Sequence, residues 1–168
     1  QVINNVIFNA KYGIVSTLAK DFAVIYNTVF NDQFASAETD TCLYVELQKD
    51  RGNGVLDYGK ATIFNNILHS MTGRSLLINQ RDITNLQSDF NNLYSPNGNV
   101  VTIREQLDNG DVNTTDIEDL PSWRTLSLQD TLSISDDPVF IVQNTNVQAS
   151  SIDLNLLAAS PCISAAKL

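Results

Sequence analysis

Four short segments of this chain align without gaps around one asparagine. They are Val2-Ile-Asn-Asn-Val-Ile-Phe8, Val24-Ile-Tyr-Asn-Thr-Val-Phe30, Thr62-Ile-Phe-Asn-Asn-Ile-Leu68 and Ser88-Asp-Phe-Asn-Asn-Leu-Tyr94. Asparagine is depleted in strands, and a buried amide costs free energy unless it is hydrogen-bonded. Yet each of these asparagines sits within or beside an apolar, largely β-branched run. A parallel, in-register stack of coils removes the conflict, because each amide then lies over its counterpart and can donate and accept along the stack. Asn5, Asn27, Asn65 and Asn91 are therefore expected to form a ladder, at spacings of 22, 38 and 26 residues. Ile3, Ile25 and Ile63, two positions before, should share an interior face, as should Ile7, Val29, Ile67 and Leu93 two positions after.

Short apolar strands fall between these segments: Tyr12–Val15, Cys42–Leu47 and Ser75–Ile78. Convincing helical spacing is confined to a short turn near Val15–Asp21. Several strands per period of 22–26 residues predict the coils of a parallel β-solenoid. Residues 1–96 read as coils, with the long spacing absorbed by a polar, glycine-bearing insertion near 31–60. Residues 97–168 read as the last coil and an irregular C-terminal cap, which a solenoid needs to cover its apolar cross-section and strand edges. Gln1 enters in mid-coil. The expectation is an upstream continuation of the solenoid, or another chain covering the N-terminal coil.

Composition fits one domain. The chain has 168 residues, 43% of them hydrophobic and 17% charged, which suits a globular fold with a sizeable core. A net charge of −9 argues against nucleic acid, whose binding needs clustered Lys and Arg. No apolar run approaches the roughly 18 residues of a membrane-spanning helix. Cys42 and Cys162 are too few for a disulfide framework, leaving one bridge or two buried thiols open.

The repeated NNVIF, YNTVF and FNNIL units resemble the asparagine-turn coils of the right-handed parallel β-helix (pectate-lyase-like) superfamily. Three later pieces are similar to a terminal signature of bacterial members, and they occur in its order. SDFNNLYSPNG (Ser88–Gly98) looks like the last asparagine coil. SWRTLSLQDTLSISDDPVF (Ser122–Phe140) is similar to a Trp-bearing segment ahead of an aromatic strand, and IDLNLLAASPCISAA (Ile152–Ala166) to the closing element. Two departures stand out: Ala166 and Lys167 occupy the place of a usual glycine, and Arg104–Pro121 reads as an acidic insertion. The resemblance implies a right-handed parallel β-helix of about three to four coils in a secreted or cell-surface bacterial protein. It also implies polysaccharide as the partner class.

In many members that class is processed by lyases, hydrolases or epimerases. A lyase needs a base and a cation or Ca²⁺ to neutralise the uronate; a hydrolase needs paired carboxylates. Lys60, His69, Arg74 and Arg81 are the nearest basic set, with solvated surface positions as the plainer reading of each. The acidic groups are Glu38/Asp40, Asp108/Asp111/Asp116/Glu118/Asp119 and Asp136/Asp137, the second read as an exposed acidic loop and the third as a turn. No metal ligand set or cofactor is assigned, since the Asp108 cluster lacks the EF-hand arrangement; a Ca²⁺ site there is the lesser alternative to an exposed loop.

Asp89 aligns with interior positions and reads as a hydrogen-bonded structural carboxylate. Tyr26, Phe64 and Phe90, each before a ladder asparagine, form either an outward aromatic stack or a surface packed beneath a loop. Trp123 should anchor the cap. The leading functional expectation is a non-catalytic part of a surface β-helix protein engaged with glycans or a larger assembly. The alternatives are the end of a polysaccharide lyase with its active site upstream, and a phage tail or adhesin shaft.

Overall fold

The computed structural model describes the chain except residues 18–20, 32–39, 51–55, 80–82, 108–110, 143–152, 164 and 166–168. Among the described residues the protein is all-β with one α-helix. The chain runs through three parallel sheets in the same order four times. The first pass is β1 (Val2–Ile3), β2 (Val6–Phe8) and β3 (Tyr12–Thr17); the second is β4 (Asp21–Ile25), β5 (Thr28–Asn31) and β6 (Thr41–Glu46). After the antiparallel hairpin of β7 (Gln48–Asp50) and β8 (Leu56–Tyr58), the third pass is β9 (Lys60–Phe64), β10 (Ile67–Ser70) and β11 (Arg74–Asn79). The fourth is β12 (Leu86–Asp89), β13 (Asn92–Tyr94) and β14 (Asn99–Gln106). Each strand pairs in parallel with its counterpart one pass later, giving orders β1-β4-β9-β12, β2-β5-β10-β13 and β3-β6-β11-β14. The third sheet ends in an antiparallel strand, β15 (Val112–Ile117), and is therefore mixed.

The core fills the space between the three sheets. Val24 and Ile63 from the first, Val29, Leu68 and Leu93 from the second, and Leu43, Val45, Leu76, Ile78 and Val101 from the third are all fully buried. Each such side chain contributes roughly 1.5–3 kcal/mol on leaving water. The expected interior row of Ile3, Ile25 and Ile63 is corrected here. Ile3 is exposed and Ile25 only half-buried, and the row that points inward is Val2, Val24 and Ile63, one residue earlier in the first two segments. Likewise the row two after the ladder holds Leu68, not Ile67.

Tight approach at the corner before the third sheet requires glycine: a Cβ on Gly98 would lie 1.9 Å from the carbonyl oxygen of Gly73.

The described part of residues 97–168 carries regular elements. Within them β15 follows β14 as a hairpin, and α1 (Leu120–Ser127) packs Leu120 and Trp123 into the end of the core. Beyond lie β16 (Phe140–Val142), β17 (Asp153–Leu156) and a 3-10 turn at Pro161–Ile163. Between α1 and β16 the chain lays a fifth, unrepeated layer on the fourth pass. Asp130 N–H donates to Ser88 C=O (2.8 Å), Ile134 N–H to Asn91 C=O (2.8 Å) and Leu93 N–H to Ile134 C=O (2.9 Å). No described helix is long and apolar enough to cross a membrane. Both cysteines are free and buried.

Candidate functional site

The ladder runs through Asn5, Asn27, Asn66 and Asn91. Oδ1 of Asn27 accepts the backbone N–H and Nδ2 of Asn5, both at 3.0 Å. Oδ1 of Asn66 accepts the same pair from Asn27 (2.9 and 3.1 Å), and Oδ1 of Asn91 the pair from Asn66 (both 3.0 Å). Asn65 is not a member. It occupies the left-handed corner position, φ 58°, together with Asn4, Tyr26 and Phe90. That row is where a chain leaving one sheet turns into the next, a conformation asparagine tolerates better than most residues.

At the far end the ladder is closed by different chemistry. Asn91 N–H donates to Ser133 Oγ (2.8 Å) and its Nδ2 to Asp130 Oδ1 (3.1 Å). Asp130 is fully buried, and it also accepts from Trp123 Nε1 (2.8 Å) and Ser133 Oγ (2.5 Å). Trp123 is thus held at the end of the stack.

The expected basic set is dispersed over three sheets. Lys60 begins β9 on the first sheet, exposed and opposite Asp21. Arg74 begins β11 on the third sheet and is buried, not solvated; its backbone N–H donates to Asp40 C=O (2.9 Å). Arg81 lies outside the described residues, as do Glu38 and Asp108.

His69 is buried on the second sheet, again not a solvated position. Its ring meets Phe30 edge-on at 4.6 Å and Tyr94 at 5.0 Å, and stacks with Phe140 at 6.3 Å. Burial holds its imidazole down at about 4, with Asp137 opposing weakly. A neutral, enclosed ring of this kind is not placed to serve a diffusing substrate.

The acidic residues do structural work. Asp116 accepts from Thr102 Oγ1 (2.6 Å), and Asp119 caps α1 by accepting Ser122 N–H (2.7 Å). Asp137 accepts Val139 N–H (2.9 Å). Asp89 is half-buried and accepts Leu132 N–H (2.7 Å). Among the described residues no cluster of three or more His, Cys, Asp or Glu side chains could hold a metal ion. Phe64 and Phe90 meet edge-on at 6.4 Å, while Tyr26 stands exposed on the same corner.

What the fold does bring together is a row on the outward face of the third sheet. Tyr44 and Glu46 alternate with the core residues Leu43 and Val45, so they face away from the core. In-register pairing sets Glu46, Asn79 and Arg104 side by side on three successive strands. Asn79 Nδ2 reaches Glu46 Oε1 at 3.4 Å, and Tyr12 meets the Tyr44 ring edge-on at 6.3 Å. Burial, with Glu46 adding to it, raises the Tyr44 phenol above its ordinary value, so it is neutral and a hydrogen-bond donor at neutral pH. The row offers aromatic rings, one carboxylate, one amide and one guanidinium on one sheet, which suits binding of hydroxyl-rich molecules. These residues escaped notice in the sequence because they lie 33 and 25 residues apart, and only the stacking register aligns them.

No family model matches the chain, and neither a curated protein nor a solved structure matches it.

Proposed function

We propose that the chain is part of a right-handed parallel β-helix in a secreted or cell-surface bacterial protein, with a non-catalytic, glycan-binding role. The right-handed sense rests on the strong bias of parallel crossover connections. The observation that carries the binding role is the outward row of Tyr12, Tyr44, Glu46, Asn79 and Arg104. Its aromatic faces can stack on sugar rings, and its polar groups can share hydroxyls.

The reading also gives the edge formed by β1, β2 and β3 to a further coil or another protein chain. Asn5 Oδ1 receives no donor among the described residues, whereas Oδ1 of Asn27, Asn66 and Asn91 each receives two.

The test is direct titration of the protein with a panel of neutral and acidic polysaccharides. Tyr44→Ala and Arg104→Ala should each weaken binding about tenfold or more, the loss of one stacking or charge-assisted contact. Equal binding by both variants removes the site. Unsaturated uronate products appearing during the titration would instead support the lyase alternative, and stable trimers the shaft.

A further inference from the structure

The C-terminal strap that crosses the outer face of the second sheet sits directly on the molecule's single histidine. The outward row beneath it is Phe8, Phe30, His69 and Tyr94, aligned by register. Phe140, the first residue of β16, closes over the row, 5.5 Å from Phe30 and 6.3 Å from His69 between ring centroids. His69 is left 1% exposed. Its Nε2 faces Met71 Sδ at 3.1 Å, a weak acceptor, and its Nδ1 has no hydrogen-bond partner among the described residues.

The strap itself is under strain where it enters this contact. Val139, a β-branched residue, has φ 51°, in a region that such side chains rarely adopt. Two bonds fasten its start, Asn92 Nδ2 to Asp136 C=O just before it (2.8 Å) and Ser160 Oγ to Pro138 C=O, while Leu157 N–H to Val139 C=O (2.9 Å) ties its two segments to each other.

We propose that His69 is a proton-operated latch: protonating it releases the strap formed by residues 137–142 and 153–157 from the second sheet while the coils stay folded. An imidazolium needs two good acceptors or water, and the cage offers one thioether and three rings. The titratable groups around it are Tyr94 from β13, whose ring meets it, and Asp137 from the strap, whose carboxylate acts on it; Asp136, and Cys162 from the 3-10 turn, sit against the neighbouring Asn92, and β5 and β16 present the rings Phe30 and Phe140. The Asp137 carboxylate favours the cation but is the lesser influence, and burial dominates.

The sign follows from linkage. The docked state holds the imidazole at about 4, whereas the released state returns it to its ordinary 6.5. Docking is therefore at full strength above pH 6.5. It weakens as pH falls and levels off below about 4, a change on the order of 10²–10³-fold in the docking equilibrium.

The single histidine makes the test clean. Its ring C–H resonance is titrated by NMR, and hydrogen exchange of the strap is followed from pH 7 to 4 with the intrinsic pH dependence divided out. The expected result is a midpoint displaced clearly below 6.5 with strap protection falling at least tenfold as the histidine protonates, while Leu76–Ile78 keep theirs. His69→Phe, which continues the aromatic row, should keep the strap protected throughout. His69→Gln serves the same purpose should the larger ring fail to pack. A midpoint near 6.5, or strap release with the same pH profile in both variants, overturns the proposal.

Discussion

The tripeptide Phe-Asn-Asn occurs twice in this chain, and its two copies fold in different registers. At Phe64-Asn65-Asn66 the first asparagine makes the left-handed turn and the second joins the ladder. At Phe90-Asn91-Asn92 the phenylalanine makes the turn, the first asparagine joins the ladder, and Asn92 donates instead to Asp136 C=O (2.8 Å) and Cys162 Sγ (2.9 Å). The local sequence is the same, so the residue before it decides. Ile63 is fully buried, and Asp89 stands in register with Phe64, one place further on. Sliding the second copy by one would drive the Asp89 carboxylate into the core in the place of Ile63. Because side chains alternate across a strand, a one-residue slip exchanges every inside for outside, and an unpaired buried carboxylate is among the costliest exchanges. The core sets the register, and the asparagines fill the positions it leaves.

Alanine at each asparagine of the first copy breaks this comparison most sharply. Asn66→Ala strips the acceptor from the buried Asn27 N–H and one of three from Asn27 Nδ2, and removes the donor to Val24 C=O (2.9 Å) and Asn91 Oδ1 (3.0 Å). Leaving such groups unpaired should cost ~3–5 kcal/mol in denaturant unfolding. Asn65→Ala loses the tolerance of asparagine for φ 58° and should cost about 1 kcal/mol, with Asn65→Gly close to neutral. If the two positions exchange these values, the ladder runs through Asn65 after all.

That one-residue uncertainty marks how far the sequence is legible. The recurrence of Asn5, Asn27 and Asn91 with flanking aliphatics reports a repeated local environment, and repetition is what a single sequence can display. The doublet Asn65-Asn66 offers two equal candidates. The discriminating signal was the position three before the asparagine, where Val2, Val24 and Ile63 recur only if Asn66 is chosen.

Helix α1 was missed although its start is written out: Asp119, then Pro121 inside the first turn, then Trp123 four residues after the cap. The outward row of Glu46, Asn79 and Arg104 carries no local mark, since nothing in the sequence around each residue refers to the others. Nor does His69 announce its burial, because the ring that covers it, Phe140, lies 71 residues away.

The same contrast between repeated and unrepeated chemistry can be sharpened at the end of the ladder. Asp130 gathers Trp123 Nε1, Ser133 Oγ and Asn91 Nδ2 on one fully buried carboxylate. Asp130→Ala leaves Trp123 Nε1 and Ser133 Oγ without an acceptor, while Asn91 Nδ2 keeps Ile63 C=O and Ser88 Oγ, and should cost ~2–4 kcal/mol, with the Trp123 fluorescence shifting red as water reaches the indole. Asn5→Ala, at the opposite end, frees half-exposed groups and should cost less than about 1 kcal/mol. Similar losses at both ends would mean the closing layer is no more tightly built than the open edge.

The smallest effect concerns the start of α1. Asp119 is solvent-exposed, and its carboxyl is held below its ordinary range by the bond from Ser122 N–H. A carboxyl lowered in the folded state contributes stability above its unfolded pKa and loses it as pH falls through the lowered value. The cap should therefore be complete at neutral pH and fade only in acid. Asp119→Asn replaces it with a capping residue of similar strength that does not titrate. Wild type and Asp119→Asn should match at pH 7 in helical circular dichroism and in Trp123 emission, and diverge below pH 4, where only the wild type loses its cap. Asp119→Ala should fall below both at neutral pH. Identical acid profiles for wild type and Asp119→Asn would mean that the cap at Asp119 is not what fails in acid.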